Sequence, residues 1–292
     1  MSVVEQKRFV AKALSGVVAP DIMAMADYVR GQFDQDSVVG VLGYGSCLRG
    51  VSTADSLIDF YVLVRQPSQV SSSNLSARAC AILPPNVYYG ETSFEGRPLR
   101  TKFAVLDIET FGRWVGDKTK NPYFWARFSQ PTALVWVADE EARDKIVDCV
   151  RQAVATMFGH CLGLGEGLGG DEDLWQRGLV ETYKTELRAE GPARAGEIVA
   201  RNEAYYREIG ENFSDVEPIR AQWFLRRVQG KLFSVLRLIK ASFTFSGGAD
   251  YLAWKISRHS GVEIKLKPWQ QRHPLLAAIY LLPWLLKKGA VR

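Results

Sequence analysis

Apolar residues recur along this chain with two different periods, and the change between them marks its organisation. Residues 5–33 carry helical spacing and predict two helices broken near Pro20. Short runs rich in β-branched and aromatic residues follow: Val38–Tyr44, Leu57–Val64, Asn86–Ser93, Leu99–Leu106 and Ala133–Val137. Helical stretches lie between and after them, at Asn74–Leu83, Asp107–Val115 with Asp107 as N-cap, and Asp139–Phe158 with acids in its first turn. Strands interleaved with helices predict an α/β domain, helices packed on a mixed sheet, over residues 1–158. Residues 159–170, GHCLGLGEGLGG, contain a literal GxGxxG at Gly165, Gly167 and Gly170. A dinucleotide-binding loop follows a strand, whereas this run follows a helix, so it reads as a hinge. Beyond it the spacing is helical at Asp171–Ala189, Ala195–Glu208, Pro218–Ala241, Ala249–Arg258 and Pro274–Lys288, broken by Gly247-Gly248. This predicts a helical domain over 171–245 and a basic, apolar segment over 246–292.

Composition leaves that picture intact: 292 residues, 47% hydrophobic and 24% charged, suffice for a substantial core. The first residues, MSVVEQKRFVAKAL, show neither an apolar signal core nor the Arg and Ser of a transit peptide, giving the expectation of a cytoplasmic location. Cys47, Cys80, Cys149 and Cys161 have no metal-site spacing and read as reduced thiols; His160, His259 and His273 are isolated.

Charge changes the picture more. Arg220–Arg292 holds 14 Lys+Arg against 2 Asp+Glu, a net +12, leaving 23 against 30, a net −7, in Met1–Ile219. A basic tail on an acidic body implies an anionic partner, a membrane surface or a nucleic acid. Pro274–Leu286 is uncharged and ends at Lys287-Lys288. At 13 residues it is shorter than the roughly 20 a spanning helix needs. With Tyr280 and Trp284 as interfacial anchors, the Lys pair beside anionic lipid, and Arg226, Arg227, Lys231, Arg237 and Lys240 supplying the cationic side that anionic lipid would attract, it reads as lying in a membrane surface.

The candidate chemistry centres on one acid. Asp59 interrupts the apolar strand Leu57–Val64, shortly after the turn Gly43-Tyr44-Gly45-Ser46. A charge within a strand is costly unless satisfied. Gly45 and Ser46 suit a backbone nest for triphosphate oxygens, and Asp59 suits a Mg²⁺ ligand. The position two beyond Asp59, where nucleotidyltransferases place a second acid, is Tyr61. Asp55 is the candidate second ligand, with Asp107 or Glu109 as a third carboxylate. Lys102 and Arg100 project to one face of their strand and offer fixed cations for phosphate. Tyr88 and Tyr89 are candidates for base stacking or core.

These blocks, taken in order, resemble the mitochondrial-type phosphatidate cytidylyltransferases, soluble-fold CDP-diacylglycerol synthases. Gly43–Ser46, Ile58-Asp59-Phe60, Asn86–Tyr89 and Lys102 are similar to that family's first half. Trp125–Pro131, Leu179–Arg188 and Lys240–Thr244 are similar to its Ala-Gly-Arg-Leu-Gln-Lys-Pro, Ser-Gly-Asp-Phe-Arg and Lys-Gly-x-Phe-Thr stretches. The departures are Cys47 after the turn, Phe103-Ala104 after Lys102, and Glu186 for the family's Asp. The resemblance implies a nucleotidyltransferase-like sheet and transfer of CMP from CTP to phosphatidate with Mg²⁺, at the inner face of a cell membrane in a bacterial member or the matrix side of the inner membrane in a mitochondrial one. It implies Lys102 as a catalytic cation, Arg188 and Lys240 as phosphate contacts and Glu186 as a positioning acid. No nucleic-acid partner is expected. The alternatives are a nucleotidyltransferase acting on RNA or a soluble acceptor, and a non-catalytic peripheral membrane protein.

Overall fold

The computed structural model describes residues 2–45, 57–165, 174–186, 192–244, 266–272 and 280. Helix α1 (Val3–Leu14) starts at a capping box, Ser2 with Glu5, and α2 (Pro20–Arg30) starts with Pro20 in its first turn. Five strands form one mixed sheet: β1 (Val38–Tyr44), β2 (Leu57–Val64), β3 (Asn86–Phe94), β4 (Arg97–Asp107) and β5 (Thr132–Val137), in the order β3-β4-β2-β1-β5. Only the β2–β4 pairing is parallel. β1 and β2 lie centrally with both faces covered, which is why they read as nearly unbroken apolar runs.

The two faces carry different helices. Gly90 on β3 faces the Tyr28 ring of α2, and Gly40 on β1 faces Ile146 of α6 (Glu140–Gly165). Register places these glycines on opposite sides of the sheet. Helix α3 (Asn74–Ile82) follows β2, and α4 (Ile108–Val115) follows β4 with Asp107 accepting from Thr110 N at 2.9 Å. A four-residue helix absent from the periodicity, α5 (Trp125–Phe128), buries Trp125 and Phe128 on the α6 side.

The expected hinge is partly helix. Gly159, Gly163 and Gly165 belong to α6, and a Cβ at Gly163 would lie 2.3 Å from the Ile219 carbonyl oxygen. The glycines there admit a passing chain, which Ile219 N fixes by donating to Gly159 O at 2.7 Å. Residues 166–170 lie outside the described residues. The expected helix Ala195–Glu208 is two helices, α8 (Pro192–Arg201) and α9 (Glu203–Asn212). Asn202 divides them, its side-chain amide donating to Ile198 O at 2.8 Å. α7 (Leu174–Tyr183), α10 (Trp223–Thr244) and the five-residue α11 (Pro268–Arg272) complete the described α-helices. Trp175, Leu179, Val199, Ile209 and Phe213 join the same apolar core as the sheet. The expected helix Ala249–Arg258, and Pro274–Lys288 apart from Tyr280, lie outside the described residues. Among the described residues no helix is long and apolar enough to cross a membrane.

Candidate functional site

One row of the sheet gathers the polar residues singled out in the sequence. Tyr44 pairs with Asp59, Asp59 with Lys102, and Lys102 with Tyr89, so all four share a face. Lys102 Nζ lies 3.5 Å from an Asp59 carboxylate oxygen, with the side chains 36% and 25% exposed. At that exposure an ion pair contributes about 1 kcal/mol or less. Stability is therefore a weak reason to interrupt a core strand with it. Gly45 follows Tyr44 directly and has φ +67°, a left-handed conformation that favours glycine.

The rest of that face is aromatic and cationic. Tyr61, fully buried at the position where a second acid was sought, packs on Phe128 and Phe124 at ring distances of 4.9 and 6.0 Å. The Arg127 guanidinium of α5 sits 5.0 Å from the Tyr44 ring centre and 5.3 Å from that of Tyr123. From α10, Arg237 covers the same Tyr123 ring at 4.0 Å. Glu186, just past α7, is the carboxylate acting on both arginines. Burial opposes the charge on Arg127, but Tyr61, Tyr44, Tyr123 and Glu186 around it hold its pKa well above the ordinary value. Burial would raise the Tyr123 hydroxyl; Arg127 and Arg237 beside it bring it below its ordinary value.

Other expected residues stand elsewhere. Lys240 donates to the carbonyls of Leu83 and Pro85 at 2.5 and 2.7 Å, and Arg237 Nε donates to Pro84 O at 2.9 Å. These bonds fasten α10 to the loop after α3, a docking role for Lys240, whose pKa burial lowers to about 8. Asp107, a possible third carboxylate, caps α4 five residues along β4 from Lys102, about 17 Å away at strand rise. Glu109 pairs with Lys145. Arg100 pairs with Glu91 at 3.2 Å. Tyr88 belongs to the opposite face, stacked on Phe103 and donating to Val70 O, while Tyr89 donates to Glu91. Ser46, Asp55, Arg188, Trp284, Lys287 and Lys288 lie outside the described residues. Tyr280 is exposed, its ring edge-on to Trp269.

Asp59 offers the hard oxygen donor that Mg²⁺ takes, and its partly exposed carboxylate lies opposite Tyr44, beside the Gly45 turn. Among the described residues no group of three His, Cys, Asp or Glu converges.

α10 is folded against expectation. Its basic residues turn inward: Arg226 donates to Lys120 O, Arg227 to Glu181, and Arg237 and Lys240 to the α3 loop. Its exposed side carries Phe224, Leu225, Val228, Leu232, Val235, Leu236 and Ile239, each 40–72% exposed. At roughly 100° per residue these positions span about 120° of arc. Gly230, on the opposite side, packs so closely on Thr185 that a Cβ would lie 2.4 Å from its carbonyl oxygen. The sequence alone had assigned these basic residues to the lipid side; of the five, Lys231 alone is exposed and the others are half-buried.

The chain matches no family model, and no curated protein matches it.

Proposed function

We propose that this chain transfers CMP from CTP to phosphatidate at an anionic membrane surface, giving CDP-diacylglycerol and pyrophosphate. The observation that carries the reading is the Asp59–Lys102 pair set in the sheet opposite the residue preceding the Gly45 turn. A phosphatidate phosphate oxygen attacks the α-phosphorus of CTP. A new P–O bond forms, the bond to the β-phosphate oxygen breaks, and pyrophosphate leaves with the electron pair. The attacking monoester is ionised at neutral pH, so the protein needs no strong base. Its residues position and neutralise. The Gly45-Ser46 turn holds triphosphate oxygens through backbone N–H groups, and Lys102 balances phosphate charge. Asp59, with Asp55, would hold Mg²⁺, which supplies charge neutralisation along the triphosphate. Glu186 orients the cations around it. The outward apolar stripe of α10 favours a lipid acceptor over RNA, because an exposed apolar helix face contributes nothing to backbone recognition.

The test is incubation of purified protein with Mg²⁺, labelled CTP and phosphatidate vesicles. Wild type is expected to yield a liponucleotide, and Asp59→Asn to lower turnover roughly 100-fold or more. Label appearing on RNA or a soluble acceptor instead of lipid overturns the lipid assignment. Mg²⁺-dependent nucleotide binding that survives Asp59→Asn overturns the role of Asp59.

A further inference from the structure

Arg127 and Arg237 approach one tyrosine ring from different elements, α5 and α10. The Tyr123 centroid lies 5.3 Å from one guanidinium carbon and 4.0 Å from the other, so the two carbons are closer than the sum of those distances. Arg127 Nε and one terminal nitrogen of Arg237 are buried with no hydrogen-bond partner among the described residues. An N–H donor of a charged group that is buried without an acceptor is destabilising. Two such donors in one cluster therefore need an explanation. The charge count points the same way. Two guanidinium groups share the carboxylate of Glu186, with the amine of Lys240 also acting on Arg237's neighbourhood. The surrounding groups, Tyr44, Tyr61 and Tyr123, are hydroxyls that donate as well as accept.

We infer that Arg127 and Arg237 form an anion site for a phosphomonoester, distinct from the Gly45 turn that takes the triphosphate. A phosphate offers several acceptor oxygens to two guanidinium groups that two helices bring to one tyrosine ring. Arg127 lies over Tyr44, the residue before Gly45, which puts this phosphate next to the nucleotide rather than remote from it. Arg237 comes from the helix whose opposite side is the exposed apolar stripe, so one element carries both features. The phosphate is that of the acceptor. This last step rests on the CMP-transfer reading; the anion site does not.

The site is tested by thermal unfolding without nucleotide, in inorganic phosphate, glycerol 3-phosphate or short-chain dihexanoyl phosphatidate, with the matching phosphatidylcholine as control. Wild type is expected to be protected by the phosphomonoesters and not by phosphatidylcholine. Arg127→Met and Arg237→Met are expected to weaken that protection at least tenfold in apparent affinity. Arg127→Met leaves most of the side chain's bulk, and its unfolding temperature without ligand is the baseline against which its protection is read. In turnover the Arg127→Met variant raises KM for phosphatidate and leaves that for CTP unchanged. Stronger protection by dihexanoyl phosphatidate than by inorganic phosphate assigns the site to the lipid headgroup; equal protection assigns it to a free phosphomonoester. No protection of wild type, or protection unchanged in both variants, overturns the site. Arg-dependent protection without liponucleotide formation leaves the site standing and overturns only the transferase reading.

Discussion

Among single side chains, His160 is held neutral by its surroundings. It is fully buried between α6 and the chain that crosses it, stacked on Trp125 at 4.9 Å and edge-on to Trp223. Its Nδ1 lies 3.2 Å from Ile219 O, and a carbonyl can only accept, so Nδ1 carries the proton. Burial, with Arg226 nearby, lowers its pKa to about 4. The unfolded chain, titrating near 6.5, then binds more protons than the folded one between those values. Stability is complete above about pH 6.5 and falls as pH drops towards 4, by up to about 3 kcal/mol from this residue. Urea unfolding at pH 7 and pH 4.5 is expected to show that loss, and His160→Gln to reduce it. An unchanged pH slope in that variant assigns the loss to other groups. Nothing in the sequence marked His160 for this role, because its neighbours Trp125, Trp223 and Ile219 are distant in the chain. The place of Asp59 within a central strand was legible, since one acid interrupts an apolar run. Arg127 was visible only within a short block, and Arg237 was assigned to the wrong side of its helix.

The elements were more legible than their partners. All five strands were readable from β-branched runs, and their bounds moved by two residues at most. α5 was missed because four residues carry too little periodicity to register. α10 was placed from Pro218 and begins at Trp223, since residues 217–220 run against the α6 glycines instead. Its orientation was unreadable in principle. An amphipathic pattern reveals that two faces differ, not which one the protein keeps. The outward stripe predicts that Leu232→Glu with Val235→Glu lowers co-sedimentation with anionic vesicles at least tenfold. The same pair is expected to leave the unfolding temperature within a few degrees of wild type, because both side chains are exposed. Unchanged vesicle binding would shift lipid contact to the C-terminal segment.

Across the whole molecule, the helical half and the sheet share one core, and the α6 glycines tie them together. Ile219 crosses α6 four residues before α10 begins, so its seating sets where that helix starts. Gly163→Ala would drive a methyl into the Ile219 backbone and is expected to cost about 1–3 kcal/mol despite its better helix propensity. Gly210→Ala in α9, where an added Cβ meets nothing within 4 Å, is the control and is expected to gain up to about 1 kcal/mol. Chemical denaturation of both variants decides it; equal effects would show that α6 tolerates displacement. The Gly-rich run suggested slack from composition. In its helical part the glycines serve contact, a distinction that depends on what lies alongside.

The inside-out helix has a practical corollary. A preparation that clumps at high concentration invites the usual remedy, exchanging greasy surface side chains for charged ones. On α10 that remedy would succeed by every measure of sample behaviour and, on the proposed lipid reading, yield a well-mannered protein that no longer finds its substrate.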